Sequence, residues 1–225
     1  MHSNKNDILE VNSNKKQTEA AYDRMSRFYD YIAGSFEKKH RNRGLEILNI
    51  KKGETVLEVG FGTGQGIKKI AQKVGKEGKV YGVDLSSEMY KITKNKLKKA
   101  SLWDRVKISR QDALQMSYEK NKFDAVFMCF VLELFAISEI PVLLEKVKAL
   151  LKKGGRLGIV SLSKGDNSLM IKIYETLHKK IPVYFDCRPI YVKESLMDAG
   201  YSIQTCIYDK MFALPVEIVV GINKS

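Results

Sequence analysis

The sequence is poor in cysteine and has no long apolar run. Its three cysteines, Cys129, Cys187 and Cys206, are widely spaced in 225 residues and form no C-x-x-C pair. An odd number of scattered cysteines argues against a disulfide framework and against a structural zinc site. The longest apolar run, from Ala125 to Ile137, is interrupted by Glu133 and is shorter than the roughly 20 residues of a membrane-spanning helix. We therefore expect neither a disulfide-stabilised secreted protein nor an integral membrane protein.

The sequence also lacks the pattern of a signal peptide, because its first ten residues, MHSNKNDILE, contain neither an apolar core nor a cleavage motif. Acidic residues are in deficit: 26 Asp and Glu stand against 39 Lys and Arg, a net charge of +13. This excess suits nucleic acid, an anionic membrane surface or an acidic substrate, but scattered lysines on solvent-exposed faces explain it equally well. We predict a cytoplasmic protein, and peripheral contact with an anionic membrane stays open.

A glycine-rich stretch near residue 60 is the most informative part of the chain. Apart from Glu58, the run from Thr55 to Val59 is apolar and β-branched, as in a strand buried on both faces. The segment from Ile67 to Ala71 has helical spacing, so the loop between them leads from a strand into the N-terminus of a helix. Free backbone N–H groups and the helix dipole favour a polar or anionic ligand group there. The loop glycines are Gly60, Gly62, Gly64 and Gly66.

The spacing of these glycines differs from that of a dinucleotide-binding loop. Neither Gly60 nor Gly62 begins the pattern G-x-G-x-x-G, since the third glycine position falls on another residue. Asp84 ends the next predicted strand, 26 residues after Glu58, and its two carboxylate oxygens could accept hydrogen bonds from both hydroxyls of a ribose. The stretch therefore predicts a ligand loop, and a tight turn without a ligand is the alternative.

The sequence E-V-G-F-G-T-G, followed by V-D-L-S, resembles the class I S-adenosylmethionine-dependent methyltransferases. The resemblance implies an α/β fold with a Rossmann-like, mostly parallel sheet of seven strands, helices on both faces and an antiparallel last strand. It also implies S-adenosyl-L-methionine as the cofactor and S-adenosyl-L-homocysteine as the product. The cofactor-binding residues implied in this way are Tyr29, Glu58, Gly60, Phe61, Gly62, Thr63, Gly64, Asp84, Leu85, Met89, Asp112, Ala113 and Phe130.

Residues 1–50 are predicted to form an N-terminal helical cap, and residues 51–225 the cofactor-binding domain. Apolar residues three and four apart, from Tyr22 to Ile32, indicate one helix, and the segment from Glu37 to Leu48 indicates a second, basic one. These helices either cover the open end of the ligand cleft or pack on the body of the domain. The element R-F-Y-D at 27–30 resembles one that lies beside the cofactor in quinone methyltransferases, and Tyr29 is included for that reason.

Strands and helices are predicted to alternate over the rest of the chain, as expected for one large α/β domain. The helix after Ser86, its predicted N-cap, begins near Met89. Asp112 either accepts a hydrogen bond from the adenine amino group, as the resemblance implies, or caps a turn. The element L-K-K-G-G-R resembles L-K-P-G-G of the family, and its glycines are expected to end a helix. Strands are predicted at 79–84, 106–108, 123–130, 157–162, 202–208 and 216–222, and helices near 141–151, 167–180 and 192–199.

Methyl transfer is a displacement at a methyl group bound to positively charged sulfur, so the protein mainly has to align the reactants and exclude water. Oxygen and activated-carbon nucleophiles also need a base. The candidate catalytic residues are His178, Asp186, Arg188 and Tyr191, with Glu133 just beyond strand four. Each of three candidates also has a structural alternative. His178 could be an ordinary surface residue, Glu133 could be a cap or face solvent, and Arg188 could only fix the conformation of its own segment. No metal ion is predicted.

The segment after strand four narrows the choice of acceptor. Enzymes that methylate amino groups of nucleic-acid bases carry N/D-P-P-Y/F there, whereas this chain has C-F-V-L-E at 129–133. The chain also lacks the Pro-Cys pair of cytosine C5 chemistry, so nucleic acid is not the expected acceptor. The three cysteines leave arsenite methylation open, although the apolar surroundings of Cys129 and Cys206 favour inert thiols.

The N-terminal element and the general layout resemble the ubiquinone/menaquinone C-methyltransferases and the bacterial phosphatidylethanolamine N-methyltransferases. The resemblance implies a small or lipidic acceptor, either prenylquinone-like or a phospholipid. The alternative is a nucleotide-binding or RNA-binding protein that has kept the fold without turnover. Binding of S-adenosylmethionine without methyl transfer, or failure to bind it, would favour that alternative. The oligomeric state is not predicted.

Overall fold

A computed structural model describes residues 37–164, 188–212 and 214–225. Their strands form one seven-stranded sheet in the order β3-β2-β1-β4-β5-β7-β6. Strands β1 to β5 are mutually parallel, and β7 runs antiparallel to both β5 and β6. The predicted fold class, including the antiparallel last strand, is confirmed. The strands are β1 Thr55–Val59, β2 Lys79–Asp84, β3 Val106–Arg110, β4 Phe123–Cys129, β5 Leu151–Leu162, β6 Ser202–Met211 and β7 Leu214–Ile222.

Helices cover both faces of the sheet because side chains of the central strands alternate between two apolar clusters. Leu57 and Val126 point to the face that packs on α4 and α5. Val56 and Phe127 point to the face that packs on α1, α2 and α3. The helices are α1 over 37–47, α2 Gln65–Val74, α3 Ser87–Lys99, α4 Glu139–Leu150 and α5 Val192–Asp198. The helices predicted within 17–32 and 167–180 lie outside the described residues, and the division into cap and domain stays a prediction.

Helix α1 lies close against the sheet. A side chain on Gly44 would collide with Val160 and would stand 3.2 Å from the ring of Phe127, so glycine is needed for this approach. One end of the helix contacts β6 through an ion pair, in which Lys39 Nζ lies 2.9 Å from Asp209 Oδ2. His40 Nε2 lies 3.4 Å from the same oxygen but forms no hydrogen bond within the described residues. These contacts hold α1 beside the carboxyl ends of β4 and β5.

The start of β5 differs from the prediction. The strand begins at Leu151 instead of residue 157, directly after α4, and its register with β4 shifts between Phe123 and Ala125. The glycines do not end the helix, because α4 already stops at Leu150. Asn223 Nδ2 joins the end of α4 to the start of β5 by donating to the carbonyls of Lys148, Leu151 and Lys152 at 3.1–3.4 Å. Gly154 instead turns within the strand, at φ +76°.

Smaller differences concern strand ends. Strands β3 and β6 run two and three residues beyond the predicted ends, β7 starts two residues earlier, and β4 stops one residue earlier, at Cys129. The predicted N-cap is confirmed, since Ser86 Oγ accepts a hydrogen bond from Met89 N at 3.1 Å. No helix in the described part of the chain has the length and apolarity to cross a membrane.

Candidate functional site

A cavity of about 450 Å³ opens at the carboxyl ends of β1, β2 and β4, where sheets of this topology bind ligands. Its walls are the glycine loop, α1 and the turn that follows β4. Gly64 is outside the lining, and Tyr29 lies outside the described residues. Eleven of the predicted cofactor-binding residues line the cavity: Glu58, Gly60, Phe61, Gly62, Thr63, Asp84, Leu85, Met89, Asp112, Ala113 and Phe130.

The glycine loop is fixed from two sides. Asp84 Oδ2 accepts a hydrogen bond from Gly62 N at 2.8 Å, and Thr93 Oγ1 donates to Gly62 O at 2.7 Å. Gly64, with φ +80°, is the N-cap of α2, and a Cβ on it would meet Thr93. Only glycine combines this left-handed backbone with such a close approach. Thr93 is a loop-fixing residue that sequence reasoning missed, because its only signal is a threonine facing inward from an amphipathic helix.

Asp84 has a structural role as well as its predicted one. Besides Gly62 N, it binds Ser86 N through Oδ1 at 3.0 Å and so joins the loop after β1 to the turn after β2. An ionised carboxylate can accept about four hydrogen bonds, so a carboxylate that fixes the loop is still chemically suited to ribose hydroxyls. The ribose contact stays a prediction.

Asp112 also fixes local structure. Its Oδ1 accepts a hydrogen bond from Leu114 N at 2.9 Å and caps the short 3₁₀ turn Ala113–Gln115. The same residue lines the cavity, so the cap and the predicted adenine contact do not exclude each other. The cap is observed, and the adenine contact stays a prediction.

Two opposite charges are buried in the wall between β1 and α1. Glu58 is 2% exposed and Arg41 is 8% exposed. Burial raises the pKa of Glu58 well above its usual value, and the nearby Arg41 partly offsets this effect. Within the described residues, Glu58 Oε2 and Arg41 Nε have no hydrogen-bond partner. The sequence did not predict Arg41 as a site residue, because it belongs to a basic run that is typical of a solvent-exposed helix face.

Cys129 and Glu133 lie near this wall. Cys129 lines the cavity, and burial raises the pKa of its thiol well above the usual value, as the prediction of an inert thiol requires. The alternative that Glu133 acts as a cap or faces solvent is wrong. The short turn after β4 folds it inward, where it is fully buried, and its Oε1 accepts a hydrogen bond from Leu162 N at 3.3 Å. Burial raises its pKa to about 8.

Two of the predicted catalytic residues can be placed. Arg188 is fully buried, and its guanidinium donates to the carbonyl of Phe135 in the cavity wall. Tyr191 is half-buried at the N-cap position of α5, where its carbonyl accepts a hydrogen bond from Ser195 Oγ at 2.6 Å. Neither side chain is part of the cavity lining. His178 and Asp186 lie outside the described residues, and all four catalytic roles stay predictions.

The cavity differs in charge from the rest of the protein. The chain carries a net charge of +13, yet the described lining holds five acidic residues and one basic residue, Arg41. Such a concave acidic site attracts a cationic ligand and disfavours an anionic one. The acidic residues are Glu37, Glu58, Asp84, Asp112 and Glu139.

A family model described as "Methyltransferase domain" matches residues 56–155, from β1 into β5. Residues 56–155 therefore resemble a methyltransferase domain. Arg41 lies outside this match.

The resemblance predicted from the glycine loop is confirmed by relatives in the quinone methyltransferase group. The chain is 30% identical over 156 residues to the ubiquinone/menaquinone biosynthesis C-methyltransferase UbiE of Teredinibacter turnerae, an alignment that covers 69% of this chain and 61% of the relative. The chain thus spans about three-fifths of the length of the curated relatives that it matches first.

Solved structures confirm the methyltransferase fold. A SAM-dependent methyltransferase from Aquifex aeolicus superposes with a TM-score of 0.62 at 24% identity, covering 81% of this chain and 88% of that one. The [4+2]-cyclase SpnF superposes with a TM-score of 0.73 at 18% identity, covering 96% and 97%. At these identities the similarity concerns the fold alone, and SpnF is a reminder that a fold does not fix a reaction.

Proposed function

We propose that this protein is an S-adenosylmethionine-dependent methyltransferase whose acceptor is a small, apolar, quinone-like molecule. The observation that carries the proposal is the convergence of eleven motif residues on one acidic cavity at the carboxyl end of a methyltransferase domain. Their individual roles are part of the proposal.

The residues of the cavity fit the cofactor. S-adenosylmethionine carries a positively charged sulfur, and the described lining has an excess of carboxyl groups. Glu58 Oε2 is buried and has no donor within the described residues, which suits a cationic ligand group. When bound, the cofactor supplies a methyl group that is activated by its attachment to the cationic sulfur.

The protein contributes positioning and exclusion of water. The fixed glycine loop presents backbone N–H groups at the N-terminus of α2, and Asp84 holds that loop in place. Phe130 follows β4 with a left-handed backbone, φ +55°, which costs a non-glycine residue about 1–2 kcal/mol. Its amide bonds Val160 O at 2.8 Å, and its side chain stays in the cavity wall. Strain retained at this point is typical of a residue that shapes a ligand site.

The acceptor side of the proposal rests on an apolar wall. Between β4 and Ala136, every residue that lines the cavity is apolar. Such a wall suits an aromatic ring or an isoprenoid chain better than a charged head group. The named UbiE relatives agree with a quinone-like acceptor. A phospholipid acceptor is favoured by the net charge of +13 and by the resemblance noted in the sequence, but not by this wall. The wall residues are Phe130, Val131, Leu134, Phe135 and Ala136.

Carbon methylation of a quinol needs a proton acceptor. We keep His178, Asp186 and Tyr191 as the candidates for this role. For Arg188 we propose a positioning role, because its guanidinium bonds the main chain of Phe135 and so holds the apolar wall. Glu133 is neutral near pH 7, since its pKa is raised to about 8, and we do not assign it a role in transfer.

The test is transfer of labelled methyl groups from S-adenosylmethionine to three acceptors offered separately: a demethylated prenylquinol, phosphatidylethanolamine vesicles and RNA. We expect label in the quinol and none with the Asp84→Ala variant. Label in phosphatidylethanolamine or RNA would contradict the proposed quinone-like acceptor but would still show methyltransferase activity. Binding of the cofactor without any transfer would favour a silent protein, or a reaction of another kind such as the cyclisation named for SpnF.

A further inference from the structure

The net positive charge of the chain is concentrated on one side of the sheet. Helices α1, α2 and α3 together carry 12 basic and three acidic residues, whereas α4 and α5, on the opposite side, carry three basic and four acidic ones. The first three helices thus hold nine of the 13 net positive charges. Residues 1–36 and 165–187 each carry equal numbers of basic and acidic side chains and do not add to the excess. We call the solvent-facing side of α1, α2 and α3 the basic face.

The helices of the basic face lie side by side, so their charges form one surface. Lys69 Nζ of α2 donates to Asn42 Oδ1 of α1 at 2.6 Å. At its other side, α2 begins at Gly64, where a Cβ would meet Thr93 of α3. Partial burial lowers the pKa of Lys69, and the positive charges around it, that of Arg41 foremost, lower it further. Like charges are therefore crowded where α1 meets α2, and an anionic partner would relieve their repulsion.

The kind of side chain on the basic face suits a diffuse anionic surface. All eight basic residues of α2 and α3 are lysines, which act as mobile point charges, whereas arginine supplies the fork that fixes a single phosphate. The ammonium group of Lys94 lies over the rings of Tyr90 and Trp103, at 5.9 and 5.7 Å, so these rings are less available for stacking on nucleic-acid bases. The exposed large apolar side chains of the described residues lie on other elements, so the attraction of this face is electrostatic.

We propose that the basic face docks the protein on an anionic phospholipid bilayer. The negative potential of such a bilayer attracts clustered lysines, and each lysine near the surface strengthens binding roughly fivefold. Helix α1 belongs both to the basic face and to the cavity wall, so the docked protein holds this wall near the lipid. The inference goes beyond the proposed function, because it concerns where the protein binds and not which group it transfers.

The test is co-sedimentation of the full chain with lipid vesicles, without cofactor or acceptor. We expect binding to vesicles of mixed phosphatidylcholine and phosphatidylglycerol, none to phosphatidylcholine alone, and loss of binding at high ionic strength. The triple variant Lys73→Gln, Lys98→Gln, Lys99→Gln removes three exposed charges of the basic face and should weaken binding about 100-fold. A control variant loses the same net charge from three exposed lysines outside this face and should weaken binding less than about threefold. The control lysines, each changed to glutamine, are Lys120, Lys153 and Lys224.

Several outcomes would overturn the docking surface. Equal losses in the two triple variants would show that net charge acts without regard to the face. Absence of binding to the anionic vesicles, or equal binding to both kinds of vesicle, would exclude an anionic bilayer. Tighter binding to an RNA oligonucleotide, weakened by the same basic-face variant, would make nucleic acid the partner. If the triple variant does not fold, Lys73→Gln alone should still weaken binding roughly fivefold, and no loss contradicts the inference. Methyl transfer to a detergent-solubilised quinol does not need the basic face, so either proposal can fail without the other.

Discussion

The two ends of the sheet differ in how completely their charged side chains are paired. At the amino end, charges are paired directly. Arg156 Nη2 lies 2.9 and 2.7 Å from the two carboxylate oxygens of Glu54, and Lys152 Nζ lies 2.6 Å from Asp124 Oδ1. Asp124 also accepts a hydrogen bond from Thr55 N at 2.8 Å. These pairs join the starts of β1, β4 and β5.

At the carboxyl end, charged groups are more deeply buried and less completely paired. Within the described residues, one oxygen each of Glu58 and Glu133 and the Nε of Arg41 have no hydrogen-bond partner. The pKa values of both carboxyl groups are raised, mainly by burial. Among the described residues, the amino end holds one such atom, the Nε of Arg105 before β3. Unsatisfied buried polar groups destabilise a fold, so their concentration at the carboxyl end indicates that this end serves a ligand, while the other end holds the sheet together.

The largest expected effect concerns Glu133 and pH. Its ordinary pKa is 4.5 and its folded pKa about 8. Below pH 4.5 the carboxyl group is protonated in both the folded and the unfolded protein. Between pH 4.5 and 8 it ionises only in the unfolded chain, so rising pH favours unfolding. Above pH 8 it is ionised in both, and the free energy of unfolding no longer changes with pH through this group. From pH 5 to 8 the wild type should therefore lose about 3 kcal/mol of stability relative to Glu133→Gln. Urea denaturation at the two pH values measures this difference, with exposed Glu145→Gln as control, and a pH-independent difference would contradict the burial.

The next effect is on binding. Asp84→Ala should weaken S-adenosylhomocysteine about 100-fold, or about 2.7 kcal/mol, because it removes the predicted ribose acceptor and loosens the glycine loop. The same substitution at the amino end, Asp124→Ala, should leave the affinity within about twofold. Titration calorimetry on both variants makes the comparison. Similar losses in the two variants would mean that the ends do not differ in function.

A stability effect without a binding effect is expected at the amino end. Arg156→Met should reduce the free energy of unfolding by about 2 kcal/mol, because it leaves the largely buried Glu54 without its cationic partner and removes the bond to Leu48 O at 2.9 Å. Ligand affinity should not change. Chemical denaturation and calorimetry of the same preparation measure both quantities, and a variant that lost affinity but kept stability would reverse the assignment of the two ends.

The smallest effect is expected for the exposed ion pair at the same end. Lys152 is 47% exposed, so solvent screens its interaction with Asp124. Lys152→Ala should change the free energy of unfolding by less than about 0.5 kcal/mol. A loss of more than about 1.5 kcal/mol in urea denaturation would show that pairing alone, without burial, stabilises this end.

Local patterns account for what the sequence could predict. The glycine loop, Asp84 and the Ser86 cap depend on residues close together in the chain, and their positions follow from strand and helix periodicity. Asn223 could not be recognised as the residue that joins the end of α4 to the start of β5, because the contact joins segments more than 70 residues apart. Arg41 and Glu133 were misread for the same reason. Their burial depends on how α1 and the turn after β4 pack, which the polarity of a single residue does not reveal.

The most direct test of the account is a crystal structure with bound S-adenosylhomocysteine. We predict that the ligand occupies the cavity beside the glycine loop and that Glu58 Oε2 and Arg41 Nε, without partners within the described residues, then bond it or waters that it orders. A ligand bound elsewhere, or one in the cavity that leaves both atoms without partners, would contradict the claim that the carboxyl end keeps its charges for a ligand.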